Sequence, residues 1–226
     1  MKITIKAITT VILTITVTAC MNSPKGEKVD AKDVYTISKS GKGEIFSAVK
    51  NESNIQWLGT KPTGTHSGTV RLINGNVSVE NDQITGGSIK INMQSITCSD
   101  IENPEMNTKL VSHLLSTDFF AVDSFPTATF EIARIEELVN PMPNTNIFEP
   151  THTVMGNLTL RGRTKGISFP ARIEITNELL RVTTPQFYIN RTHWGVNYGS
   201  KSIFMNLADN FIHDEMGLTI NFTAKK

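Results

Sequence analysis

The chain is 226 residues long, with 38% apolar and 19% charged residues, enough to bury a core and too apolar for a disordered chain. Lysine and arginine number 22 against 21 acidic residues, a net charge of +1, which offers no basic footprint for nucleic acid. Two cysteines cannot staple a small disulfide scaffold, and no stretch is long and apolar enough for a multi-pass membrane protein.

Residues 1–19 read as a signal peptide. Lys2 and Lys6 make a positive start, and the segment from Ala7 to Thr18 is uncharged and rich in Ile, Val and Thr. It ends Val17-Thr18-Ala19-Cys20, small residues before a cysteine that resemble a bacterial lipobox, with valine where leucine is usual. Cys20 is therefore expected to become the acylated first residue of a lipoprotein, held at the membrane by more than one chain. Processing removes two lysines, so 20 basic residues remain against 21 acidic ones and the net charge becomes −1. Cys98 is then the lone thiol. Residues 20–33 read as the acylated cysteine and a flexible tether, polar and containing Pro24 and Gly26, with the folded domain over 34–226.

From Val34 onward the dominant period is two. Asn76-Val77-Ser78-Val79, Ser88-Ile89-Lys90-Ile91-Asn92-Met93, Asn157-Leu158-Thr159-Leu160 and Leu218-Thr219-Ile220-Asn221-Phe222 each alternate apolar and polar, the pattern of antiparallel strands with one wet face. Asn74-Gly75, Asn81-Asp82, Gly86-Gly87, Arg161-Gly162 and Asn177-Glu178 read as turns between them. Pro104 to Ser116 breaks the pattern: Met106, Leu110, Val111 and Leu114 fall at helical spacing, and proline suits a first turn. Val139 to Pro150 carries three prolines and reads as a loop, and Ser202 to Asn206 as a short helix or turn. The spacing of the strands predicts an all-β sandwich or barrel. A sheet of about eight strands removes its edges only by closing, and a barrel of that size has an interior wide enough for side chains or one slender ligand.

Catalytic signatures are few. His66, His113, His152, His193 and His213 make no HExxH, there is no CxxC, and no nucleophile elbow, phosphate-binding loop or dinucleotide fingerprint occurs. An enzyme would have to use His113 with Asp118, or a metal assembled in space, and the residues give neither reading support. The most unusual local run is His113 to Phe120, which ends in adjacent phenylalanines. They read either as aromatic gates at a barrel mouth or as a plug, with Phe125, Phe130, Trp57 and Phe187 as neighbours. Arg191, near Trp194, reads as closing a loop through carbonyls or a carboxylate in preference to binding an anion.

An ordered set of blocks resembles the YceI-like family of bacterial polyisoprenoid-binding proteins. They are Ile55-Gln56-Trp57-Leu58-Gly59 with Gly64-Thr65-His66-Ser67-Gly68; Gly87 to Ile96; His113-Leu114 with Ser116-Thr117-Asp118-Phe119-Phe120 and Phe125-Pro126-Thr127-Ala128-Thr129-Phe130; and Gly156 to Lys165. The likeness runs from about Tyr35 to Phe222. Asn92 stands where the family often has aspartate, and the loop from Val139 to Pro150 is longer than in many members. The resemblance implies an antiparallel lipocalin-like β-barrel of about eight strands with one short helix. It also implies a long isoprenoid chain, such as a quinone tail or polyprenyl lipid, held inside, with no catalytic cofactor, no catalysis and no nucleic acid. Lining is expected from Trp57, Ile89, Ile91, Met93, Leu114, Phe119, Phe120, Phe130, Leu158, Leu160 and Phe187. With the lipobox, the expectation is a periplasm-facing or surface lipoprotein of the cell envelope, acting as carrier or buffer, with a homodimer open to it through exposed strands. The competing expectation is an envelope interaction protein whose barrel is filled.

Overall fold

The computed structural model describes residues 26–37, 41–139, 149–204, 207 and 210–226. The expected signal peptide, Cys20 and most of the Val139–Pro150 loop lie outside them, as does Asn206.

Among the described residues, eleven strands and one α-helix follow in order: β1 (Glu27–Val29), β2 (Glu44–Ala48), β3 (Asn54–Lys61), β4 (Gly64–Glu80), β5 (Gln83–Asn92), α1 (Pro104–Leu115), β6 (Thr127–Glu137), β7 (His152–Leu160), β8 (Arg163–Ile175), β9 (Leu179–Thr183), β10 (Phe187–Asn190) and β11 (Glu215–Lys225). Antiparallel pairing runs β3–β4–β5–β6–β7–β8–β9–β11 and returns from β11 to β3, so the sheet closes into a barrel. Two places in the wall are shared by broken strands. β2 and β3 both lie between β11 and β4, and β9 and β10 both lie along one edge of β11.

Turn chemistry sets the hairpins. Asn81 and Asp82, at φ 53° and 60°, join β4 to β5, and Arg161 and Gly162, at φ 50° and 70°, join β7 to β8. Both central residues at positive φ are what a two-residue hairpin turn matching the twist of its strands demands. Asn74-Gly75 and Gly86-Gly87 are not turns. They lie inside β4 and β5, where the pairing slips between Leu72 and Asn74 and between Ser78 and Val79. Each slip is a bulge, which reverses the inward parity of the strand beyond it. In β4 the buried apolar set passes from Val70 and Leu72 to Val77 and Val79. A similar slip between Ile132 and Arg134 in β6 lets Ile135 join Ile132 on the inner wall.

The helix matches its expected span to one residue. Asn103 caps it, its side chain accepting from the Met106 N–H at 3.0 Å, and Pro104 occupies the first turn. Only Leu114 of its apolar positions is buried. Met106, expected on the packed face, is 55% exposed, because α1 overhangs the end of the barrel rather than lying along its wall.

The folded chain starts earlier than the expected tether allowed. β1 pairs in parallel with β10, Glu27 opposite Phe187 and Val29 opposite Ile189, and Val29 is buried in the core. Lys32 then exchanges two backbone hydrogen bonds with Gly166 of β8, at 2.8 and 3.1 Å. A Cβ at Gly166 would sit 2.3 Å from the Asp33 carbonyl, so the approach requires glycine. Further on, buried Asn157 accepts from the Tyr35 N–H at 2.8 Å and donates to its carbonyl at 2.9 Å. β10 breaks from the line of β9 and leaves β8 unpaired at that height; the N-terminal segment fills the gap. The polar composition of 21–33 concealed this, since a short edge pairing is made by backbone groups whatever the side chains.

Candidate functional site

One end of the barrel is filled. Phe46, Val77, Leu180 and Ala224 are 1%, 1%, 0% and 0% exposed and pack where β2, the end of β4, β9 and the end of β11 converge. Beyond them the barrel is hollow, with a cavity of about 430 Å³ opening toward the end that carries α1 and the segment after β10. Its wall is built almost wholly of carbon from alternate strand positions: Val70 and Leu72 of β4, Phe130 and Ile132 of β6, Ile167 and Phe169 of β8, and Leu218, Ile220 and Phe222 of β11. A space this large with few polar partners is poorly suited to ordered water.

All eleven residues expected to line the lumen do line this cavity. Their companions differ from the expectation. Phe119 and Phe120 meet edge-on at 5.5 Å, and Phe119 contacts His113 and Tyr198 at 5.6 and 6.2 Å. Phe130 and Phe187 instead join Phe169, which stacks on Phe187 at 4.7 Å with the rings within 1° of parallel. Phe125 packs beside Gly162. Trp57 is half-buried and donates its indole N–H to the Thr97 carbonyl at 3.0 Å, beside Gly68, where a Cβ would collide with that same carbonyl.

Val70, Leu72, Ile132, Ile167 and Phe169 also line the wall and were not expected there, and other lining residues went unassigned for different reasons. Leu218, Ile220 and Phe222 were legible as an alternating run and simply not assigned inward. Ile84 and Ile135 fall beyond bulges that shift the inner face of β5 and β6, and alternation alone could not locate them.

The polar groups gather at the open end. Arg191 is buried and donates to the carbonyls of Val196 at 2.6 Å, Ile212 at 3.1 Å and His213 at 3.2 Å. Its guanidinium lies 3.7 Å from Asp214 and 5.4 Å over the Phe119 ring. Burial lowers its pKa, and the neighbouring Asp214 and Glu215 charges offset that only in part. This is the loop-closing role expected for Arg191: its donors are spent on the protein's own carbonyls. His113 stands edge-on to Tyr198 at 4.4 Å, with Asp118 at 3.8 Å, too long for a hydrogen bond. His66 is held differently. Asp100 accepts from its Nδ1 at 2.8 Å through one oxygen, and from the Ser67 N–H at 2.7 Å and the Cys98 thiol at 3.4 Å through the other. Burial pushes the Asp100 carboxyl up, but the bonds from Ser67, His66 and Cys98 outweigh it and hold it below the usual carboxylate range. Among the described residues, no cluster of three or more His, Cys, Asp or Glu is placed to hold a metal.

Solved structures share this architecture. BcnA of Burkholderia cenocepacia superposes with a TM-score of 0.58 at 15% identity, covering 77% of this chain and 97% of its own. A domain of Saccharophagus degradans, described as a polyisoprenoid binding domain implicated in plant cell wall breakdown, superposes with a TM-score of 0.57 at 12% identity, covering 80% and 97%. At such identities the likeness concerns the fold. No curated protein matches the chain. The model of the YceI-like domain matches residues 46–224.

Proposed function

We propose, from the premise that the chain belongs to the YceI-like domain family, that it binds a long apolar isoprenoid-type lipid, a quinone or polyprenyl chain, inside the barrel. The observation that carries this reading is the 430 Å³ cavity, closed at one end by packed side chains and walled by carbon. The description of the Saccharophagus degradans domain as polyisoprenoid-binding supports the same ligand class. A filled barrel acting only as a scaffold finds no support in such a space.

The role we infer is that of a carrier or buffer, not a catalyst. Burial of a hydrocarbon is worth about 0.8 kcal/mol per CH₂ relative to water. The bilayer offers an isoprenoid tail the same apolar surroundings, so net affinity rests on shape and on the head group, and release stays easy. Cys20 is proposed as the acylated residue, placing the protein in the bacterial cell envelope, periplasm-facing or on the surface.

Organic extraction of the purified protein and lipid mass spectrometry of the extract test the ligand. A stoichiometric quinone or polyprenyl species supports the reading, and a well-folded protein with an empty extract and no uptake of added lipid refutes it. Metabolic labelling with a radioactive fatty acid tests the anchor: label absent from the wild type, or retained in Cys20→Ser, rules Cys20 out.

A further inference from the structure

The lipid reading leaves the head group open, and the rim of the cavity addresses it. Lys61, His66, His113, Tyr198 and Arg191 are polar residues that reach the lining. Arg191 is already bonded to three carbonyls, and His113 is packed against Tyr198 and Phe119. His66 differs because a fixed carboxylate sets its chemistry. Gly59 lies opposite His66 in the β3–β4 pairing, so the imidazole shares the face of Gly59 and Trp57 and stands at the cavity wall. Its side chain is 34% exposed.

Asp100 cannot turn away from it. One carboxylate oxygen takes the Ser67 N–H and the Cys98 thiol, which leaves the other for Nδ1 of His66. With an ionised carboxylate as partner, Nδ1 must carry the hydrogen. In the neutral ring Nε2 then has a lone pair and no proton, so it accepts and does not donate. We propose that His66 is the head-group contact of the cavity, and that it selects apolar-chain lipids whose head ends in a hydroxyl donor over those whose head only accepts. Isoprenoid alcohols and quinols belong to the first class, and ethers and oxidised quinones to the second. The proposal rests on the lipid-binding reading and adds to it which head is held.

The test compares farnesol with farnesyl methyl ether, which share the chain and differ in the hydroxyl hydrogen. Each is titrated into the full chain at pH 8 and monitored by the fluorescence of Trp57 and Trp194. Farnesol is expected to bind about fivefold to tenfold more tightly, the discrimination of one net hydrogen bond. In His66→Phe, which keeps an aromatic ring and removes the lone pair, the two probes should bind alike. In Asp100→Asn the amide oxygen stays with Ser67 and the amide N–H₂ faces Nδ1. That moves the imidazole hydrogen to Nε2, and the preference for farnesol should disappear. Equal binding of the two probes by the wild type, or a preference that survives in His66→Phe, overturns the assignment while leaving lipid binding intact. Failure of both probes to bind removes the lipid reading and this inference together.

Discussion

Leu158→Trp separates a hollow barrel from a filled one. Leu158 is 8% exposed, faces Phe130 across the β6–β7 pair and lines the cavity; its own carbonyl accepts from the Trp194 indole at 2.9 Å. In a filled core the larger ring would overpack, at about 1–3 kcal/mol. Here the indole can grow into empty space, so urea unfolding should move by less than about 1 kcal/mol in either direction. The ligand feels the change instead. The extra ring displaces about four CH₂ groups' worth of chain at about 0.8 kcal/mol each, roughly 3 kcal/mol. By the tenfold-per-1.4 kcal/mol relation that is a weakening of about two-hundredfold. Affinity is read with a fluorescent polyene lipid added to wild type and variant, and stability is measured on the same preparations. Loss of about 2 kcal/mol or more of stability with unchanged lipid affinity would refute the reasoning, since it would mean that the space beside Leu158 is occupied by protein.

Other substitutions probe the parts that hold the cavity open. Arg191→Leu strands three carbonyls, that of Val196 fully buried, and the Asp214 carboxylate, and should cost about 3–5 kcal/mol in urea unfolding. Arg191→Lys should recover only part of that, because an ammonium cannot present the planar fork. Val29→Ala should cost about 2 kcal/mol and speed proteolysis within 26–37, where stability and a cleavage rate both unchanged from wild type would argue that Val29 does not hold β1 to the wall. The Asp100 carboxyl is held below its ordinary pKa, so its contribution is present above the unfolded value of about 3.9 and lost as pH falls through the folded value. Asp100→Asn should therefore be less stable than wild type at pH 7, and the gap should narrow steadily below about pH 4. A gap independent of pH would show that the carboxylate's charge is irrelevant there.

The sequence made some parts of this molecule plain and hid others for physical reasons. Alternation in Ile89-Lys90-Ile91 and Leu158-Thr159-Leu160 reports an inner face directly, and those residues line the cavity. The helix was readable to a residue because proline suits a first turn and the apolar residues from Met106 to Leu114 recur at helical spacing; its Asn103 cap was not read in advance. The bulges at Asn74 and Gly86 looked like turns because glycine serves both, and only cross-strand pairing distinguishes them. Arg191 could be read as a loop closer, but the three carbonyls it holds lie 5 to 22 positions away. The pairing of His66 with Asp100, 34 positions apart, has no local signature at all.

The wall place taken by β1 has a mechanical consequence. Gly26, just ahead of β1, is packed beside Tyr188 and Gln186 on the flank of the barrel. It stands six residues after Cys20 in the sequence. At about 3.3–3.6 Å per residue that is a leash of roughly 20 Å at full stretch. If Cys20 carries the anchor, the barrel cannot range across the envelope. It swings within a shallow layer over one leaflet, tied by its side rather than by a free end. Tension on the anchor would then pass first into the three-residue pairing of β1 with β10, the seam beside the cavity.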